Sequence, residues 1–352
     1  MKRSRLAIAS LWPLGVALAV LLAAGAAEGQ TPWTKYVDNP VLEAGAPGEW
    51  DQGGVVSGAV LFDGAMYHMW YGGFRTIPLV WPDLDIGYAT SPDGVTWTKH
   101  PFNPVFVRQG TWDSAGIWPG AVVWDGALYH MWYVGGTSAS PTQTGYATSP
   151  DGVSWTPYGG NPVLTGDPGG WDAAQADIHA VIADGGIYRA WYHGCAAAGS
   201  WSRIGYATSP DGVTWSKYAD NPVLWPLGYG WDGYGLDGPE VVFDGTYHMW
   251  YKGYGGSVVQ IGHAWSPDGI HWVRQPAHAP VLGPGPAGAW DSGGADLPQV
   301  VLAGDTAHMW YTGWIGALQS VAIGHATAPL PLPMFFDGFE SGDTSVWSAT
   351  VP

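Results

Sequence analysis

Residues Trp231–Leu282 read WDGYGLDGPEVVFDGTYHMWYKGYGGSVVQIGHAWSPDGIHWVRQPAHAPVL and form one complete copy of a repeated unit. The unit contains three apolar runs, Pro239–Phe243, Tyr247–Tyr251 and Gln260–Trp265, and a fourth run begins at His271. Asp-Gly or Gly-Gly turn signals separate the runs. Within the runs, apolar and polar side chains alternate. Runs of this kind separated by turn signals predict a four-stranded antiparallel meander. Such a sheet has two apolar faces and cannot bury both by itself, so it needs copies on either side.

The chain supplies those copies about every 60 residues. The Trp-Asp pair that opens the unit recurs at Trp50, Trp112, Trp171, Trp231 and Trp290. An HMWY-like strand, a Ser-Pro-Asp-Gly turn and a closing Trp follow in register. A fixed period of this length with four strands per copy is typical of a β-propeller. We therefore predict an all-β, five-bladed β-propeller, in which residues found in every copy serve packing and turns.

The last copy is incomplete, and the missing strand lies at the other end of the chain. The fifth unit stops at Ile323–Thr327 without a closing strand. The segment Thr31–Leu42, TPWTKYVDNPVL, matches Gly94–Phe106, GVTWTKHPFNPVF, which closes the first unit. We therefore expect the N-terminal strand to complete the last blade and close the ring.

Outside the repeat, the two ends of the chain predict export and a tail. Three basic residues within the first five precede an apolar run, Leu6–Ala24, and the small residues Gly25–Ala27 suit cleavage. This pattern predicts a secretory signal over 1–29. The alternative is a membrane anchor, but the closing strand begins almost immediately afterwards. We expect a secreted protein with its propeller over 30–328 and a Pro-rich spacer and acidic tail over 329–352.

The composition excludes several classes of partner. The formal net charge is -17, with only 12 Lys and Arg residues, so phosphate backbones and anionic membranes are repelled. We therefore expect no nucleic acid and, after removal of the signal, no membrane among the partners. The single cysteine, Cys195, excludes an intramolecular disulfide. We expect a monomer with no cofactor.

Candidate site residues are those that break the repeat on the innermost strand of each unit. Six residues after the opening Trp stand Val56, Trp118, Asp177, Asp237 and Asp296. Eight residues after it stand Gly58, Gly120, His179, Pro239 and Pro298. Nine residues after it stand Ala59, Ala121, Ala180, Glu240 and Gln299. First strands line the central channel of a propeller, so we expect the three Asp to converge beside His179 and Trp118.

Three converging carboxylates suit acid/base chemistry. They cannot all ionise cheaply at close quarters, which raises at least one pKa, as hydrolysis by paired carboxylates requires. The alternative is that these Asp are solvated lining of a wet pore, but two blades carry Val and Trp at the same position. Glu240 is also a candidate. Side chains alternate between the two faces of a strand, which puts Glu240 on the face opposite Asp237. We therefore predict that Glu240 packs against the next blade, with Gln299 as its partner.

At this point the chain resembles the five-bladed propeller glycoside hydrolases of families 43 and 32, the arabinanase, xylosidase and invertase groups. The resemblance covers about 31–328 and rests on blade count, strand closure, the repeated Ala-Thr-Ser-Pro-Asp-Gly turn and the inner-strand acids. It implies that three acids act as base or nucleophile, tuning carboxylate and general acid. By blade order these are Asp177, Asp237 and Asp296. By motif, Asp237-Gly238-Pro239 occupies the Glu-Gly-Pro position of the general acid, so the last two roles are exchangeable.

Aromatic and polar residues outside the repeat predict a carbohydrate ligand. Sugars stack on aromatic rings, which makes Trp118 and Trp225 candidate binding residues. Arg189 replaces the His of the HMWY strand in one blade only; we place it next to Asp177, where it grips a carboxylate or a sugar hydroxyl, or else forms a simple ion pair. His179 and Gln299 complete the predicted binding set.

Three functions follow from these residues. The first is a secreted glycosidase acting on a plant or microbial poly- or oligosaccharide. The second is a non-catalytic, lectin-like propeller, although lectin propellers repeat one site per blade and here the variation gathers in one sector. The third is a metal-binding site in the central channel. A divalent cation would be bound there by Asp177, His179, Asp237 and Asp296.

Overall fold

The computed structural model describes residues 33–76, 83–110, 112–137, 142–197, 199–256, 258–274, 279–316 and 320–330. The predicted secretory signal, 1–29, lies outside these ranges, as does the predicted tail from residue 331 onward. Among the described residues, no helix has the length and apolar character needed to cross a membrane.

The described chain is built from strands, and the strands of each repeat unit pair antiparallel with one another to form what we call one sheet; short parallel pairings join some neighbouring sheets. The first unit contributes β2 (Gly54–Phe62), β3 (Tyr67–Phe74), β4 (Leu84–Ser91) and β5 (Thr98–Lys99). The second contributes β6 (Gly116–Trp124), β7 (Tyr129–Gly136), β8 (Thr142–Ser149) and β9 (Thr156–Pro157). The third contributes β10 (Gln175–Asp184), β11 (Ile187–Cys195), β12 (Arg203–Ser209) and β13 (Ser216–Lys217). The fourth contributes β14 (Gly235–Phe243), β15 (Tyr247–Tyr254), β16 (Val259–Ser266) and β17 (Val273–Arg274).

The last sheet combines the two ends of the described chain. It contains β18 (Gly294–Ala303), β19 (Thr306–Ile315), β20 (Ser320–Pro329) and β1 (Thr34–Lys35). β1 pairs antiparallel with β20, with Thr34 opposite Thr327. Asn39 strengthens the junction, because its amide donates to the His325 carbonyl at 2.8 Å and its Oδ1 accepts from the His325 N–H at 2.7 Å. The predicted closure by the N-terminal strand is confirmed for residues 33–42.

The sheets are arranged in a closed ring. The first strands contact one another in order, from β2 through β6, β10, β14 and β18, and β18 contacts β2 again. In four of the five sheets, a tryptophan of the second strand also reaches the Ser-Pro-Asp-Gly turn of the next sheet. The indole N–H of Trp70 donates to the Gly152 carbonyl at 2.7 Å, and that of Trp310 donates to the Gly94 carbonyl at 2.8 Å. The predicted all-β, propeller-like architecture is therefore confirmed.

The Asp of each opening Trp-Asp pair is a scaffold residue, as predicted. All five are buried. In the first sheet, Asp51 accepts from the Tyr71 hydroxyl at 3.3 Å and contacts the Lys99 ammonium at 2.6 Å. In the last sheet, Lys35 of the N-terminal strand contacts Asp291. These bonds tie the outermost strand of a sheet to the start of its innermost strand.

Removing the closing strand tests the topology. A chain that begins after Leu42 loses β1 and leaves Asp291 buried without its ammonium partner, so its melting temperature should fall sharply. Thermal unfolding followed by circular dichroism measures the effect. Removal of 331–352, which follows the last strand in the sequence, should leave the melting temperature unchanged. A chain lacking residues up to Leu42 that melts like the full chain would contradict the closure.

The last sheet also contains a buried histidine that makes the fold sensitive to acid. Burial and the neighbouring His308 lower the pKa of His325 to about 4, whereas a histidine in an unfolded chain has a pKa of about 6.5. Between these values the unfolded chain takes up a proton that the folded protein does not. Stability should therefore fall as the pH falls from 6.5 to 4, by about 3 kcal/mol for this group.

Three of the other sheets provide the matched substitution, whereas the fourth sheet carries His263 at this position. Tyr88, Tyr146 and Tyr206 stand where His325 stands, each opposite the tryptophan of the second strand. In the first sheet the Tyr88 hydroxyl lies 2.6 Å from His68 Nδ1. We predict that His325→Tyr flattens the dependence of the unfolding free energy on pH between 4 and 6.5, measured by urea titration. An unchanged slope would show that another group carries the acid sensitivity.

Candidate active site

The acidic residues of the first strands lie where each strand changes register against its second strand. The register shifts fall between Val56 and Ala59, Pro119 and Ala121, Ile178 and Ala180, Asp237 and Glu240, and Asp296 and Gln299. A β-bulge of this kind bends a strand and redirects its side chains. The repeat thus places the same bend in every sheet, and only three sheets place a carboxylate there.

Two of these carboxylates are fixed by an identical backbone turn. Gly238 and Leu297, which follow the two Asp residues, both have left-handed backbone conformations with φ of 51° and 47°. Oδ1 of Asp237 accepts from the Gly238 N–H at 2.7 Å, and Oδ1 of Asp296 accepts from the Leu297 N–H at 2.7 Å. A left-handed leucine costs about 1 kcal/mol or more. Strain of this size is typical of a functional site.

A lysine joins the two carboxylates. Nζ of Lys252 lies 3.5 Å from Oδ2 of Asp237 and 3.0 Å from Oδ2 of Asp296. Lys252 belongs to β15, directly opposite Asp237 in the strand pairing. Burial would lower the pKa of Lys252, but the two carboxylates raise it above the ordinary value. The lysine is therefore a fixed positive charge between two adjacent sheets.

A histidine joins Asp237 to the third carboxylate. Nδ1 of His193 lies 3.2 Å from Oδ1 of Asp237 and 3.7 Å from Oδ2 of Asp177. Oδ2 of Asp177 also accepts from the Thr142 hydroxyl at 2.7 Å. His179 lies beside the same cluster, with its Nε2 3.9 Å from Oδ1 of Asp237. The predicted convergence of the three Asp beside His179 is confirmed.

The charges around Asp237 keep it ionised. Burial raises the pKa of this carboxyl, but His193, Lys252 and His179 together lower it well below the ordinary value. Burial opposes a charge on His193, yet Asp237 and Asp177 raise the pKa of this imidazole above its ordinary value. Burial dominates at His179 and lowers its pKa. The cluster therefore contains an ionised carboxylate surrounded by cationic and neutral nitrogen groups.

A cavity of about 390 Å³ opens onto these groups. Asp237, Asp296 and Lys252 line it, together with the indole rings of Trp118 and Trp314. This volume lies within the range of about 300–1,000 Å³ that is usual for small-molecule sites. Trp118, predicted from the channel position, therefore lies in the same cavity as two of the acids. Asp177 does not line this cavity, and it is only 1% exposed.

Glu240 and Gln299 lie in a different part of the channel from the acids. Both line a second cavity of about 560 Å³, the distal cavity, which the later halves of the first strands enclose. The Glu240 carboxyl bonds to the backbone of Val300 in the next sheet, and burial raises its pKa well above the ordinary value. The predicted contact with the next blade is thus present, but the predicted partner is wrong. The Gln299 amide donates to the Pro298 carbonyl at 2.9 Å instead.

The placement of Arg189 beside Asp177 is wrong. Its Nε lies 3.2 Å from Asp184 in its own hairpin, and its guanidinium donates to the Tyr206 hydroxyl at 2.9 Å. His68 makes the same pair of contacts in the first sheet, with Asp63 and Tyr88. Arg189 therefore takes the position and the contacts of the repeated His. The structure thus agrees with the alternative prediction, in which Arg189 forms a simple ion pair.

Trp225 lines neither of the two cavities described above. It follows β13 on the connection to the fourth sheet, and it is 55% exposed. Its carbonyl accepts a hydrogen bond from Arg274. A role for this indole in binding is therefore confined to an outer surface.

Two residues of the site were missed by the sequence analysis, and a second broken repeat marks both. The residue two positions after the second-strand tryptophan is Gly72, Val134, His193, Lys252 or Thr312. Each of these residues pairs directly with the channel position that carries Val56, Trp118 or an Asp. The two variable positions therefore face each other across the first two strands of every sheet. Variation at the second position was a usable signal for His193 and Lys252.

Substitution of the lysine tests the architecture of the site. Lys252→Met leaves Asp237 and Asp296 close together without their shared cation, and the loss of one partner of a buried ion pair costs about 3 kcal/mol. The double variant Lys252→Met/Asp296→Asn removes one of the two uncompensated charges and should recover part of that loss. Urea unfolding measures both variants. A Lys252→Met protein as stable as the wild type would show that the lysine does not neutralise this pair.

Comparisons with known proteins agree with this architecture. Residues 56–177 match the model of the glycosyl hydrolases family 32 N-terminal domain. The solved BT0996 RGII complex is similar with a TM-score of 0.67, at 19% identity, over 88% of this chain and 95% of that one. A solved protein of the GH130 family of mannoside phosphorylases, described as containing glycoside hydrolases that target β-1,2 mannosidic linkages in Candida mannan, gives a TM-score of 0.65 at 17% identity, over 88% of this chain and 99% of that one.

These matches confirm the resemblance to the propeller glycoside hydrolases at the level of the fold. The uncharacterized protein MT1551 of Mycobacterium tuberculosis (strain CDC 1551 / Oshkosh) is 32% identical over 225 residues, which are 61% of this chain and 72% of that protein. The chain therefore belongs to the same family as the mycobacterial protein MT1551, on the fold of the propeller glycoside hydrolases.

Proposed function

We propose that this protein is a secreted glycoside hydrolase, built on a five-bladed β-propeller, that cleaves a poly- or oligosaccharide in the cavity beside Lys252. The observation that carries the proposal is the pair Asp237 and Asp296. These carboxylates come from adjacent first strands, face one cavity and share one ammonium group. Two carboxyl groups that flank a substrate are the machinery of most glycosidases.

The walls of the cavity suit a sugar. Trp118 and Trp314 present aromatic surface, and the C–H faces of pyranose or furanose rings stack on such surfaces. The carboxylates and the lysine supply acceptors and donors for hydroxyl groups in the same space. The comparison proteins include glycoside hydrolases, and the family of one neighbour is described as containing hydrolases that target mannosidic linkages. We therefore propose a carbohydrate as the ligand of this chain.

The contacts of the two acids assign their roles. Asp237 touches both Lys252 and His193, and these two groups favour its ionised form. An ionised carboxylate at the reacting carbon stabilises the positive charge of an oxocarbenium-like transition state. Among the ion pairs of the described residues, Asp296 makes one, with Lys252. The general-acid role therefore falls to Asp296, which delivers the proton to the leaving oxygen.

Asp177 acts through another residue in this proposal. It is buried behind the cavity, where it contacts His193, and His193 in turn contacts Asp237. The base or nucleophile role that the resemblance implies for Asp177 requires contact with substrate or water, which its position does not give. We propose that Asp177 positions His193, which then holds Asp237 against the cavity.

Export is part of the proposal. The basic residues and the apolar run at the start of the chain have the pattern of a secretory signal. A polysaccharide outside the cell is a substrate that only an exported enzyme can reach. The net charge of -17 also suits an uncharged or cationic ligand better than a polyanion.

A non-catalytic, carbohydrate-binding function is the second candidate, and one observation favours it. Lys252 contacts both cavity-facing carboxylates, whereas a glycosidase needs one carboxyl group in the protonated form. A sugar-binding site has no such requirement. The substrate must therefore weaken the contact between Lys252 and Asp296 if the protein is an enzyme.

Asn substitutions with two kinds of substrate separate the enzyme from the binding protein. Asp237→Asn and Asp296→Asn should each lower the turnover of an oligosaccharide by about 10²–10⁴-fold, because each removes a group that acts on the reacting atoms. An aryl glycoside with a good leaving group needs no proton from the enzyme. It should therefore restore activity to Asp296→Asn and not to Asp237→Asn, measured as release of the phenolate.

Asp184→Asn is the matched control, since Asp184 is an acid of the same propeller that contacts Arg189 away from the cavity. This variant should retain wild-type turnover. Rescue of Asp237→Asn instead of Asp296→Asn would reverse the two roles. If the wild type binds oligosaccharides but hydrolyses no member of a broad glycoside panel, the enzyme proposal is wrong and the binding function stands.

A further inference from the structure

Three potential metal ligands converge within the acid cluster. One ring nitrogen of His179, one of His193 and a carboxylate oxygen of Asp237 all lie within 4.8 Å of one another. Oδ1 of Asp237 is the shared neighbour, at 3.9 Å from His179 and 3.2 Å from His193. Tetrahedral zinc with bonds of about 2.0–2.1 Å places its ligand atoms about 3.3 Å apart. The distance of 3.2 Å between His193 and Asp237 matches this spacing, whereas His179 lies further out, at 3.9 Å from Asp237.

Buried polar atoms in this cluster lack partners among the described protein atoms. His179 is only 3% exposed, and its Nε2 makes no hydrogen bond within the described part of the chain. The same holds for Oδ1 of Asp177, a residue that is 1% exposed. A buried nitrogen or carboxylate oxygen without a hydrogen bond costs about 1–3 kcal/mol. The cost is removed if a ligand meets these atoms.

The charge of the cluster favours a cation. Asp177, Asp237 and Asp296 bring three carboxylates together, and Lys252 is the ammonium group that contacts two of them. Lys252 approaches Asp237 at Oδ2, whereas the histidines approach it at Oδ1. The lysine and a second cation therefore occupy opposite sides of the same carboxylate. Asp177 adds negative charge at the edge of the site through its contact with His193.

We propose that His179, His193 and Asp237 bind a transition-metal dication of the Zn²⁺ type. The donor set of two imidazoles and one carboxylate favours zinc and its neighbours, because calcium and magnesium prefer oxygen ligands alone. Three protein ligands leave one position of a tetrahedral ion open, as in zinc sites that bind water or substrate. Asp237 lines the cavity beside Lys252 and His179 lines the distal cavity, so the ion would lie between the two cavities.

The inference is independent of the glycosidase proposal, although both involve Asp237. A bound dication holds Oδ1 of Asp237 and keeps this carboxylate ionised, whether or not a sugar is cleaved. Zinc binding is measured without any sugar, and hydrolysis is measured in the presence and absence of a chelator. Either result therefore stands when the other fails.

Calorimetry with Zn²⁺ alone tests the site. The chelator-treated full chain should bind one equivalent of Zn²⁺, and His179→Gln and His193→Gln should each weaken this binding by more than about tenfold. Asp237→Asn supplies a third variant should either histidine substitution disturb folding, which circular dichroism monitors. With Co²⁺ in place of Zn²⁺, visible absorption bands typical of a tetrahedral nitrogen and oxygen environment should appear in the wild type and be lost in His179→Gln.

His68→Gln is the matched control. His68 also pairs with an aspartate, Asp63, at 3.1 Å, but at the distal cavity. This variant should bind Zn²⁺ as the wild type does. Absence of Zn²⁺ binding by the wild type overturns the proposal. So does binding that His68→Gln weakens while His179→Gln and His193→Gln leave it unchanged, because the metal then occupies an adventitious site.

Discussion

The ring depends on buried carboxylates that are neutralised, in four of the five sheets, from the outermost strand of the same sheet. The opening Asp of a sheet is removed from water almost completely, and in four sheets a lysine or arginine of the outermost strand supplies the counter-charge. An unpaired carboxylate at such a position is strongly destabilising. This requirement fixes which outer strand belongs to which inner strand. It also explains why the two ends of the chain meet, since Lys35 is the partner of Asp291.

The candidate site uses the same interaction once, outside the repeat. Lys252 neutralises Asp237 and Asp296 at the bend of two first strands, and no other described sheet has a lysine at the corresponding position. The scaffold pairs close a sheet, whereas this pair faces a cavity. The left-handed Leu297 indicates that the local backbone is strained to place Asp296 there. A repeated fold thus obtains a single site when a few positions depart from the repeat.

The sequence was sufficient to predict the strands, the closure of the ring and the convergence of the three Asp. Each of these depends on a period or on an alignment of copies, which the repeat makes visible. The contacts of individual side chains were harder to predict from the sequence. A bulge in each first strand alters the alternation of side chains beyond it, which limited the inference from parity for Glu240 and Gln299. The prediction for Arg189 was wrong because Arg189 pairs with Ile182, further along the first strand than Asp177, which pairs with His193.

The location of a bound sugar tests the account most directly. A crystal structure of Asp296→Asn with an oligosaccharide should place a sugar ring between Trp118 and Trp314, with its anomeric carbon in contact with Asp237. The substitution removes the proposed proton donor and leaves the aromatic walls unchanged, so the substrate should remain intact. A sugar bound in the distal cavity beside Glu240, or on the outer surface near Trp225, with no sugar beside Lys252, would contradict the account.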